Sequence, residues 1–150
     1  MTVREVVHVP PAARWLGAAG LLPFVGLTMA LWIGGGDTRE LSTTMMEGYG
    51  VAILAFMGGC RWGFAAAGLG QGPTFWPLAI SVLPALFAWA MLLFPPHLSL
   101  SGLAVGFIGL LLADVLLTRH GGAPFWWSRL RLPLSLGAAT CLSIGAIRLI

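Results

Sequence analysis

Across 150 residues, 58% are hydrophobic, only 9% are charged and the formal net charge is +3. Soluble domains carry roughly a quarter charged residues, so this composition excludes a soluble enzyme, a disordered chain and a nucleic-acid-binding domain as leading readings. It leaves an all-α integral membrane protein, a single domain over 1–150.

The first apolar run, about 13–34, is long enough at ~1.5 Å per residue to cross ~30 Å of hydrocarbon. Trp15 and Trp32 lie near its ends as interface anchors, and Pro23 in its middle predicts a kink. Its length and Trp32 favour a retained helix over a cleaved signal peptide. Gly35 to Thr44 reads as a polar connector. A second run, about 45–70, carries Glu47 near its start and Arg61 inside it, so it is a full span that tolerates Arg61 or a re-entrant hairpin. A third span, about 75–94, holds Pro77 in its first turn and Pro84 inside; a fourth is about 98–118. Arg119 to Arg131 reads as a loop, and a fifth span, about 132–150, opens at Leu132-Pro133.

All eight cations are arginine. With five spans, Arg4, Arg14, Arg119, Arg129 and Arg131 share one side. Arg39, beside acids, and Arg148 share the other. The positive-inside rule places the first group and the N-terminus in the cytoplasm. A re-entrant second run would put the Arg119 to Arg131 loop outside, so five spans are favoured over four. No fixed-length repeat is evident, and an odd span count argues against a duplicated transporter half.

Arg61 is the most informative residue. A charge in a span costs ~2.5–3.5 kcal/mol on insertion scales, so it needs a partner, a polar cavity or a route to the interface. Counted back from the cytoplasmic ends of the second and fourth spans, which run in the same direction, Arg61 lies ~13 Å before Gly70 and Asp114 ~7 Å before Arg119. The expectation is an Arg61–Asp114 bridge in the cytoplasmic half. Snorkelling of Arg61 to lipid phosphate and a proton-relay role are the other readings. Glu47 and Tyr49 mark an outer vestibule, or else a first-turn acid and an interface anchor. Gly59 and Gly63 form a GxxxG, and Gly102, Gly106 and Gly109 form a stripe, both predicting close helix packing within the chain or against a second copy.

Cys60 and Cys141 lie in apolar runs without CxxC, and His8, His97 and His120 fall in tails or loops, so no metal site and no cofactor is expected. Gly34-Gly35-Gly36 and Gly68-Leu69-Gly70 read as turns. No Ser-His-Asp, HExxH or carboxylate pair appears, so hydrolytic machinery is not expected.

Four segments together carry a family resemblance: Ala13-Arg14-Trp15-Leu16-Gly17 continuing to Leu22-Pro23-Phe24; Tyr49-Gly50 with Phe56-Met57-Gly58-Gly59-Cys60-Arg61-Trp62-Gly63; Ser81-Val82-Leu83-Pro84 with Trp89; and Arg131-Leu132-Pro133-Leu134. The set resembles the transmembrane protein 69-like family, domain of unknown function 3429, small multi-spanning membrane proteins of bacteria and mitochondria. The resemblance covers nearly the whole chain and draws attention to Arg61 and Trp62, without implying a substrate. Mitochondrial relatives carry a longer N-terminus, so the expected location is a bacterial inner membrane.

The leading expectation is a non-enzymatic accessory or assembly subunit whose partners are the bilayer and a membrane protein or second copy, with no nucleic acid. The alternative is a small transporter or proton-coupled permease using Glu47, Arg61 and Asp114. A membrane enzyme acting on lipid or quinone ranks last.

Overall fold

The computed structural model describes residues 8–150; Arg4, one of the expected orientation signals, lies outside the described residues. Within them the chain forms six helices and no strand: α1 (Pro11–Ala19), α2 (Leu22–Ile33), α3 (Gly36–Ala66), α4 (Phe75–Met91), α5 (Pro96–Arg119) and α6 (Trp127–Arg148).

The first expected span is two helices rather than one kinked helix. Pro23 occupies the second position of α2. Proline has no N–H to give, and its ring excludes the carbonyl four residues back, so α1 stops at Ala19. A tight turn bridges the break, with Gly20 N–H donating to Leu16 O and Leu21 N–H to Ala18 O, each at 3.0 Å. The two pieces still form one apolar unit of 23 residues.

The expected connector Gly35 to Thr44 is mostly helical. α3 begins at Gly36 and runs 31 residues, ~46 Å at the usual rise. Thr43 and Thr44 donate their hydroxyls to the carbonyls of Arg39 and Glu40 at 2.8 and 3.1 Å, so their polar groups are satisfied inside the helix instead of breaking it. Ser42, Thr43 and Met46 are buried, so this stretch packs as part of the bundle.

α3 and α5 end in the same way. Leu69 N–H bonds to Phe64 O and Gly68 N–H to Ala65 O; Gly122 N–H bonds to Leu117 O and Gly121 N–H to Thr118 O. Gly68 and Gly121 hold φ of +84° and +74°, the left-handed step this cap requires. The two turns meet, with the Gly122 backbone 3.0 Å from where a Gly70 side chain would begin.

The fifth expected span also shifts. α6 starts at Trp127, five residues before Leu132, and Pro133 lies inside it. Arg129 and Arg131 are therefore helical, not loop residues.

Consecutive helices pack from α2 to α6, α6 returns to α2, and α3 reaches across to α5; α1 lies on α6. Phe24, Leu54, Leu103, Phe107 and Leu142 fill the centre. The outside is apolar as well: Trp15, Trp76, Leu112 and Ile147 are all more than half exposed. An apolar exterior on this scale suits lipid rather than water. Three units are long and apolar enough to cross a membrane: Pro11–Ile33, α5 and α6. α4 is shorter, at 17 residues, and α3 carries Asp37, Arg39, Glu40, Glu47 and Arg61 along its length.

Candidate functional site

Asp114 sits on α5 just over one turn before its end and is wholly buried. A lone carboxylate there would be strongly disfavoured. Two guanidinium groups stabilise it. Arg61 Nη1 on α3 donates to Asp114 Oδ1 at 3.0 Å, and Arg131 Nε on α6 donates to Oδ2 at 2.9 Å. Arg131 is 2% exposed. The Arg61 side chain is 12% exposed. One carboxylate thus joins three helices, and two cations against one anion leave the cluster with one positive charge in excess.

The structure brings Arg61 and Asp114 into direct contact. It corrects the reading of Arg131, which was assigned to the cytoplasmic loop as an orientation signal and is instead the second buried partner. Its signal was present in the sequence. Asp114 and Arg131 stand at nearly equal distances from the Gly121-Gly122 turn, and residues so placed face each other across an antiparallel helix pair.

Glu47 and Tyr49 do not join this cluster. Because α3 starts at Gly36, the first-turn acid is Asp37, and Glu47 lies about three turns inside the helix. It is half-buried, facing Ser99 on α5. Tyr49 ties α3 to the α1–α2 unit. Its hydroxyl donates to Gly20 O at 2.8 Å, satisfying a carbonyl at the α1–α2 break, and its ring meets Phe24 edge-on at 4.9 Å. Between Glu47 and Arg61, ~21 Å apart along α3, lie the buried Leu54, Leu103 and Phe107.

The glycines divide by surroundings. Gly59 and Gly63 are exposed, with nothing within 4 Å of an added Cβ. The close approach of α3 to α4 occurs one residue earlier, at Gly58, where an added Cβ would stand 2.6 Å from Ser81 O. Gly102 and Gly106 accommodate Met91 and Phe87 of α4, whereas Gly109 is open. Of the stripe on α5, two members therefore pack within the chain.

An open cavity of about 250 Å³ at the α3 and α5 turns reaches Arg61 past Gln71, Trp76 and His120. Among the described residues no group of three His, Cys, Asp or Glu could hold a metal, and Cys60 and Cys141 are free thiols.

A family model described as "Protein of unknown function (DUF3429)" matches residues 9–147. Transmembrane protein 69 of Xenopus tropicalis is 36% identical over 98 residues, covering 65% of this chain and 38% of its own length. Transmembrane protein 69 of Mus musculus is 33% identical over 141 residues, covering 91% of this chain and 56% of its own length. The chain thus spans about half the length of these curated relatives or less. No solved structure matches it.

Proposed function

The chain belongs to the transmembrane protein 69-like DUF3429 family of membrane proteins, and we propose that it is a five-span, non-enzymatic accessory or assembly subunit of a bacterial inner membrane. The observation that carries this reading is that the buried charges tie three helices together at one point. Arg61 and Arg131 both bind the one Asp114 carboxylate, and an apolar plug separates the three from Glu47. A conducting path needs polar groups in sequence across the bilayer, whereas a helix clamp needs the arrangement described. The exposed Gly59–Gly63 face offers a neighbouring helix close approach.

Five crossings follow from taking α1–α2, α3, α4, α5 and α6 as alternating spans. Arg14, Arg119 and Arg129 then share one end. Arg39 shares the other with Asp37 and Glu40, and Arg148 there lies 5.6 Å from the ring centre of Trp32. The positive-inside rule puts the first end in the cytoplasm.

The second reading, a small transporter or proton-coupled permease using Arg61, Asp114 and Glu47, is favoured by the open cavity at Arg61. Two measurements separate them. In proteoliposomes the accessory reading expects proton and ion flux no higher than in empty vesicles. A photo-crosslinker placed at residue 59 or 63 in native membranes is expected to give one discrete heavier adduct. Flux lost on Glu47→Gln and Arg61→Met would overturn this reading for the transporter, and crosslinking to lipid alone would remove the partner.

A further inference from the structure

The cluster leaves one of its donors unused. Arg131 gives Nε to Asp114, but its Nη2 is buried with no partner. One turn earlier on α6, Trp127 Nε1 is also buried and unpartnered. Buried polar groups are nearly always satisfied, so two orphaned donors on adjacent turns call for an acceptor.

Both residues line the same cavity, of about 290 Å³. It lies between α1–α2, α3 and α6, and its remaining wall is apolar, with Leu16, Phe24, Ile53 and Met57 among its residues. The volume is roughly twice the ~150 Å³ cavity that accommodates benzene. That suits one alkyl chain rather than two. α1 packs on α6 and forms no extensive contact with α3, so the cavity opens sideways, where acyl chains would lie in a membrane.

We infer that this cavity binds a single-chain anionic amphiphile, its carboxylate or phosphate head on Arg131 and Trp127 and its tail along Ile53 and Phe24. The excess positive charge of the cluster selects an anion over a neutral acceptor. The other described carboxylates, Asp37, Glu40 and Glu47, belong to the amino-terminal half of α3 and are not part of this wall. Both donor atoms are covered in this structure, so binding requires the Arg131 and Trp127 side chains to turn toward the cavity; an anionic oxygen at Arg131 Nη2 would then balance the charge of the cluster, with the indole N–H as a second donor. This inference goes beyond the accessory-subunit reading and stands without a protein partner.

The test titrates the full chain, purified in a non-ionic detergent, with oleate, lysophosphatidate and oleyl alcohol, counting bound molecules by native mass spectrometry. A saturable one-to-one complex with at least one anion is expected, and the tighter of the two identifies the head group. Oleyl alcohol is expected to bind at least about tenfold more weakly. Ile53→Phe narrows the cavity and Trp127→Phe removes one donor while keeping an aromatic ring; each is expected to weaken binding several-fold while helix content by circular dichroism is unchanged. Equal binding of the alcohol, wild-type affinity in both variants, or no one-to-one complex with either anion would overturn the inference.

Discussion

Arg131 Nε and Asp114 Oδ2 stand 2.9 Å apart across the α5–α6 pair, both side chains removed from solvent. Because Arg61 takes the other oxygen of the same carboxylate, the three members are unequal. Without Arg61, the pair that remains is neutral. Without Asp114, two cations face each other with nothing between them. Breaking a buried pair by removing one partner costs ~3–5 kcal/mol. Asp114→Ala is expected at the upper end of that range and Arg61→Met, whose side chain is partly exposed, below it. Thermal unfolding in detergent, read by loss of the monodisperse peak, ranks them; equal losses would contradict the hub role of Asp114.

The same substitution at neighbouring glycines should act in opposite directions. At Gly58 an added Cβ would press on the Ser81 carbonyl, and a backbone oxygen cannot swing aside. Gly58→Ala should destabilise by ~1–3 kcal/mol, as overpacking does. At Gly59 nothing lies within reach, and Gly59→Ala should be neutral or stabilising by up to ~1 kcal/mol through helix propensity. Melting temperatures of the purified variants decide the matter.

Tyr49→Phe keeps the ring against Phe24 and removes only the bond to Gly20 O. A loss of about 1 kcal/mol is expected. It should coincide with faster proteolysis at the Gly20–Leu21 break, followed by limited digestion.

Five alternating spans make a pattern of access. With Cys60 and Cys141 replaced by alanine, single cysteines at Gln71 and Pro124 should react with a membrane-impermeant maleimide only from the cytoplasmic side. Cysteines at Gly35 and Pro95 should react only from the other. Labelling of Gln71 and Pro124 from opposite faces would reduce the count to four.

Much of this architecture was legible because lipid simplifies the pattern: long apolar runs between charges and prolines mark the helices. Arg61 and Asp114 could be paired from depth alone, since rise per residue is constant. Arg131 is hidden because Pro133 reads as a helix start, whereas a proline costs one hydrogen bond that the neighbouring turns of α6 absorb. Pro23 errs in the other direction: its spacing predicts a kink, but the chain breaks fully, and the Gly20 carbonyl beside the break gains a Tyr49 hydroxyl that sequence spacing does not reveal. The Gly59–Gly63 motif drew attention from Gly58, since a motif gives spacing but not which face meets a neighbour.

Asp114 joins Arg61 and Arg131 as a structural clamp. Unfolding of Asp114→Leu alone should be compared with the triple variant Arg61→Met, Asp114→Leu, Arg131→Met under identical conditions. Apolar replacement of a whole buried charge group is often neutral or stabilising, while loss of its centre strands the rest. The account predicts a single variant severely destabilised and a triple variant restored to near wild-type stability. A single variant as stable as wild type, or a triple variant no better than the single, would contradict it.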